Sequence, residues 1–251
     1  MKNKMNLYNI LIYIVLVFAL SCLSLLLNLV FQNARNYSLT FPQFAPALAL
    51  VVLLVVRQNK GVIFDIKQRF GISKKGWTYC LASIAALSAV FFIFSYSLNL
   101  LNNTFSQWET PSLTISILCI IAGCIAEEIG WRGFLLPALN QKLPLISSAL
   151  VVGIIWGAWH FDFENGIVGY LFSIMFMTAL SIIISWVQVK SNGSIIPAIL
   201  IHFFINMCAH TILFNMSFSM YQILSAILAC VGFIVFVADR KIFMLIEISR
   251  N

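Results

Sequence analysis

Of the 251 residues, 61% are hydrophobic and 9% are charged, and the mean hydropathy is +0.98. Soluble domains average ~45–50% apolar and ~25% charged residues, so this chain has too few polar side chains to cover a water-facing surface. That excludes a soluble globular protein, and the formal charge of +7 reads as a membrane-orientation signal in the loops, with no nucleic-acid partner implied.

A membrane-crossing helix needs ~20 apolar residues. Eight runs qualify in chain order: 7–31, 41–57, 77–101, 112–136, 147–163, 167–190, 194–215 and 219–239. The first is longer than the ~7–15 residues of a signal-peptide core and is read as an uncleaved span. The expected fold is all-α: a polytopic transmembrane bundle of about eight spans forming a single domain over 1–251. Lys2, Lys4, Arg57, Lys60, Lys67, Arg69, Lys74, Lys75, Lys142, Lys190, Arg240, Lys241 and Arg250 all fall on one side if the spans alternate, whereas Arg35, Glu109, Asp162 and Glu164 fall on the other. By the positive-inside rule both termini are cytoplasmic. The basic stretch 61–76 reads as a solvated loop that sets topology, or as a short interfacial helix on anionic lipid.

The six cysteines (Cys22, Cys80, Cys119, Cys124, Cys208 and Cys230) all lie in apolar runs without a CxxC pair. Neither a disulfide framework nor a thiolate metal site is indicated.

Three polar clusters interrupt the apolar runs: Glu127-Glu128-x-x-x-Arg132, Trp156-x-x-x-His160 and His202-x-x-x-Asn206. An ionisable group at membrane depth costs ~2.5–3.5 kcal/mol or more and is a functional candidate by default. Adjacent helical residues differ by about 100° around the axis, so the two glutamates face different ways. Glu128 and Arg132 stand four apart with the acid first, the favourable ion-pair order. Glu127 is left without a partner on its own helix and is the candidate for chemistry, with Glu128 and Arg132 as scaffold. Trp156 can wall the pocket and fix His160. Counted at ~1.5 Å per residue from the basic ends of their spans, Glu127, His160 and His202 lie roughly 12–18 Å deep. His210 reads as packing.

These motifs, in this order and in apolar spans, resemble those of the CAAX protease and bacteriocin-processing (CPBP) family of intramembrane peptidases. The resemblance covers residues 112–210, the expected catalytic core; Phe is the commoner residue where Trp156 stands. It implies a membrane endopeptidase in which Glu127 and His160 activate water while His202 and Asn206 stabilise the oxyanion, with a polar cavity open to the cytoplasm. A metal-independent mechanism is favoured and no cofactor is expected. The alternative is zinc held by Glu127, His160 and His202, a ligand set with catalytic precedent. The implied partners are the lipid bilayer and a peptide, lipidated protein or membrane-protein substrate. The expected setting is a bacterial plasma membrane and a role in peptide maturation or bacteriocin self-immunity. The competing reading is a non-enzymatic membrane partner or sensor regulator on the same fold.

Overall fold

In the computed structural model, residues 6–31, 40–57, 66–98, 110–211 and 216–246 are described, and among them there is helix and turn but no strand. Lys2, Lys4, Arg35, Lys60, Glu109, Arg250 and positions 61–65 of the basic stretch lie outside the described residues. Helix α1 (Leu7–Val30) starts where the Asn6 side chain accepts the Tyr8 backbone N–H. A single 3₁₀ turn (Phe41–Phe44) leads into α2 (Ala45–Arg57). Helix α3 (Lys74–Ser97) is capped by Ser73, whose hydroxyl accepts from Gly76 N–H. Such caps satisfy one of the orphan donors of a helix start.

Helix α4 (Thr110–Gly130) runs through a π turn (Trp131–Leu135) into α5 (Leu136–Asn140). Then follow α6 (Leu145–Trp159), α7 (Gly166–Lys190), α8 (Ile196–His210), α9 (Phe218–Ala238) and the short α10 (Arg240–Phe243). Apolar helix therefore occupies all eight expected ranges. Among the described residues, five stretches are long and apolar enough to cross a membrane: Leu7–Leu27, Lys74–Ser97, Leu113–Asn140, Gly166–Lys190 and Phe218–Ala238. The other three, Phe41–Val56, Leu145–Trp159 and Ile196–His210, are shorter. At ~1.5 Å per residue a 15-residue helix reaches roughly 22 Å, less than the ~30 Å hydrocarbon core. Two of these short helices, α6 and α8, carry the histidine motifs.

Large apolar side chains such as Leu26, Ile93, Leu118, Leu171 and Phe233 are exposed on the long helices. A patch of this extent needs lipid or a partner as its cover. The basic residues of the connections gather at one end of the bundle. There Ile195 N–H donates to Arg69 O at 2.9 Å, and Leu145 N–H donates to Leu245 O at 3.0 Å. Asn140 Nδ2 also reaches Leu245 O, and Lys190 pairs with Asp239. Arg69 is thus pinned to the turn between α7 and α8, with its Nη1 3.4 Å from Gly193 O. It does more than mark orientation.

Helices α6 and α7 approach through Gly153 and Gly157, a small-xxx-small pair of the kind that lets membrane helices meet backbone to backbone. A Cβ on Gly157 would sit 2.6 Å from Ile174 Cα, and one on Gly153 would sit 2.5 Å from Thr178 Cα. Backbone cannot yield as a flexible side chain can. Gly157→Val is expected to lower stability by about 1–3 kcal/mol, in the range of overpacked cores, read as a fall in Tm of the purified protein in detergent. An unchanged Tm would mean that this contact is looser than described.

Candidate active site

The polar clusters meet in the middle of the bundle. Glu128 is fully buried, as is Arg132. One carboxylate oxygen, Glu128 Oε1, accepts from Arg132 Nη1 at 2.9 Å and lies 2.9 Å from His202 Nδ1. The i,i+4 spacing thus gives the expected ion pair, and α8 adds an imidazole to the same oxygen. With Glu128 ionised, Nδ1 carries the proton of that contact, which leaves Nε2 as the free ring nitrogen of His202.

Glu127 turns away from this pair, as the helical angle requires. Its Oε2 accepts the Trp156 indole N–H at 2.9 Å. The Trp156 ring also lies under the Arg132 guanidinium, 4.4 Å from ring centroid to Cζ. It meets the His202 ring edge-to-face at 5.0 Å and the His160 ring at 6.1 Å. Trp156 is the hub of the site, where sequence reasoning gave it the smaller part of a pocket wall. An indole combines an apolar body with a polar N–H and suits such a position.

His160 follows the last residue of α6, and the chain turns away directly afterwards: Phe161 adopts φ 50, a left-handed conformation uncommon for a bulky residue. A row of aromatic rings supports this corner. Tyr13 of α1 meets Trp131, Trp131 meets Trp159, and Trp159 meets His160 at 5.1 Å. Trp159 Nε1 also donates to Ser21 Oγ of α1.

Exposure varies along the site. Glu128 and Arg132 are 0% exposed, Glu127 is 5% and His202 4% exposed, Asn206 is half-buried and His160 is exposed. The site therefore opens by His160 and Asn206, toward the end opposite the basic connections. Helix α6 ends at Trp159, and the 160–165 connection follows it at this end of the bundle.

Asn206 joins the site from α8, where its Nδ2 donates to Cys124 Sγ at 3.2 Å. Cys124 lies one turn before the glutamate doublet on α4. Three further residues escaped sequence reasoning. Cys124 looked like one more small hydrophobe. Gln43 packs against Gly123 so closely that a Cβ there would lie 2.3 Å from its amide oxygen. Gln188, between Val187 and Val189, donates from Nε2 to Arg132 O at 2.9 Å. That carbonyl needs an outside donor for a reason written in the chain. In the π turn Leu136 N–H bonds to Trp131 O, and Pro137 has no N–H to offer. A lone amide in an apolar helix was the available signal.

Among the described residues no group of three His, Cys, Asp or Glu side chains is arranged to hold a metal ion. His202 Nδ1 is engaged by Glu128 and Glu127 Oε2 by Trp156, while the Arg132 guanidinium stacks on the same indole.

The family described as type II CAAX prenyl endopeptidase Rce1-like matches residues 107–208, which hold all three motifs. CAAX prenyl protease 2 of Methanococcus maripaludis is 27% identical over 149 residues, 55% of this chain and 54% of that protein. Over these residues the chain is similar to the CAAX protease and bacteriocin-processing family. Lysostaphin resistance protein A of Staphylococcus epidermidis is 26% identical over 168 residues, 64% of this chain and 43% of that protein. The protein of the same name from Staphylococcus haemolyticus is 22% identical over 175 residues, 67% of this chain and 47% of its own length. The matches thus span about half the length of these curated relatives.

Gln188→Leu keeps volume but removes the donor to Arg132 O. A buried carbonyl left without its partner is expected to cost about 1–3 kcal/mol. Thermal unfolding in detergent should register that loss, and a Tm equal to wild type would show that the π turn needs no such brace.

Proposed function

We propose that this chain is a membrane-embedded endopeptidase that hydrolyses a peptide, or the end of a membrane-associated protein, without a metal. The observation that carries this reading is the division between the two adjacent glutamates. Glu128 is committed to Arg132 and His202, whereas Glu127 accepts from the Trp156 indole N–H on another face of the helix.

In this reading Glu127, assisted by His160, takes a proton from water as the oxygen attacks the scissile carbonyl carbon. The carbonyl π pair moves to oxygen, and the negative charge passes from Glu127 to the oxyanion. The protonated acid then returns the proton to the leaving amine as the C–N bond breaks. Asn206 and His202 Nε2 supply donors to the oxyanion. Because Glu128 engages Nδ1, donation from Nε2 requires the imidazolium, whose charge Glu128 balances. With Glu127 ionised, the two carboxylates, Arg132 and His202 form a set of zero net charge, which suits a low-dielectric interior. Donors fixed in advance in such a site are worth more than in water.

The substrate class rests on the relatives. One is named as a CAAX prenyl protease and others as lysostaphin resistance proteins. We favour peptide maturation or bacteriocin self-immunity in a bacterial plasma membrane. The non-enzymatic alternative, a membrane partner or sensor regulator, is an outcome of the same test.

Purified protein in liposomes should cleave members of a panel of lipidated and unlipidated peptides. Glu127→Ala is expected to lower kcat by about 10²–10⁴, the range for loss of a general base, and a chelator should leave the rate unchanged. Full activity in Glu127→Ala would overturn the mechanism. Inhibition reversed by added zinc would overturn its metal independence. A cellular phenotype that survives Glu127→Ala would favour the non-enzymatic role.

Trp156→Phe keeps a ring beside Arg132 and His202 but removes the indole N–H. With a hydrogen bond to a charged group worth ~1.5–3 kcal/mol, kcat should fall about 10- to 100-fold with little change in KM. A rise in KM alone would make Trp156 a substrate-binding wall instead.

A further inference from the structure

The basic end of the bundle carries a surface that the catalytic reading does not use. Lys67 and Phe70 lie on the helical turn at 66–70, and Lys74, Lys75 and Trp77 on the first turn of α3. All five are exposed, with Phe70 and Trp77 each 42% accessible. Lys74 and Trp77 are three apart and so share a face of α3. None of the three lysines has an ion pair among the described residues. The one described carboxylate at this end, Asp239, is taken by Lys190 and by the Trp186 indole N–H.

We propose that Lys67, Phe70, Lys74, Lys75 and Trp77 form a docking surface for the headgroups of anionic phospholipids. Charge and position both select this occupant. The patch lies where the apolar span of α3 begins, the depth at which phosphate headgroups meet a membrane protein. Exposed aromatic rings favour that interface, and lysines beside them attract anionic lipid. Zwitterionic lipid would leave the three positive charges unmatched.

The patch is held rigidly. Arg69 O accepts from Ile195 N–H, Arg69 Nη1 donates to Gly193 O, and Ser191 Oγ donates to Gly76 O at 3.4 Å. The turn it grips follows Gln188, the residue that braces Arg132. A lipid bound here ties α3 to the α7–α8 turn and raises the stability of the whole bundle. This inference does not depend on the proposed peptidase activity.

The test uses the full chain purified in a neutral detergent. Phosphatidylglycerol, phosphatidylcholine and inorganic phosphate are added separately, with retained lipid counted by native mass spectrometry and Tm followed in parallel. Phosphatidylglycerol should be retained and raise Tm, while phosphatidylcholine and free phosphate do neither. The triple variant Lys67→Gln, Lys74→Gln, Lys75→Gln should bind phosphatidylglycerol at least about tenfold more weakly and lose the Tm shift. A second triple variant at the same end, Lys142→Gln, Arg240→Gln, Lys241→Gln, should keep both. All three proteins should show the same Tm without lipid, because the substituted side chains are exposed. Undiminished binding by the first variant, an equal loss in the second, or the same shift with inorganic phosphate would overturn the proposal.

Discussion

One oxygen atom organises the interior of this protein. Glu128 Oε1 serves both Arg132 on its own helix and His202 on α8. A carboxylate and a guanidinium buried from all solvent would each carry a penalty of several kcal/mol if left alone. Their pairing through this one oxygen, with Glu128 Oε2 and Arg132 Nε and Nη2 left without a hydrogen-bond partner, ties α4 to α8 and orients the His202 ring. Arg132 in turn lies over Trp156 of α6, and its carbonyl is met by Gln188 of α7. Four helices are keyed to one ionic cluster, in an interior where apolar contacts alone give little preference for one register over another.

That cluster also explains what Glu127 is free to do. The same helical angle that points Glu128 into the ionic cluster points Glu127 at Trp156 and the opening. Its neighbour absorbs the structural role, so Glu127 can change protonation state without releasing the helices. The short helices serve the same end by a different route. Because α6 stops at Trp159, His160 stands at its end and is exposed beside the otherwise buried site.

Much of this was legible in the chain. Eight apolar ranges gave eight helical segments, and i,i+4 spacing gave the Glu128–Arg132 pair. The separation of the two glutamates followed from 100° per residue. What could not be read depends on contacts between helices. Nothing local says that His202 chooses Glu128, that Trp156 reaches Glu127, or that Asn206 meets Cys124. Where each helix stops within its apolar run was also not legible, because runs such as 147–163 continue past the end of the helix. Gln188 was within reach: Pro137 near a buried arginine removes a backbone donor, and an isolated amide elsewhere is the natural replacement.

The central claim is that the adjacent glutamates divide structure from chemistry. The most direct measurement compares Glu127→Gln with Glu128→Gln in one detergent, each followed by thermal unfolding and by turnover of the same peptide. Glu128→Gln should lose about 3–5 kcal/mol of stability, because Arg132 becomes an uncompensated buried charge, whereas Glu127→Gln should unfold close to wild type and fail to turn over substrate. Equal destabilisation of the two variants, or a stable and active Glu127→Gln, would contradict the account.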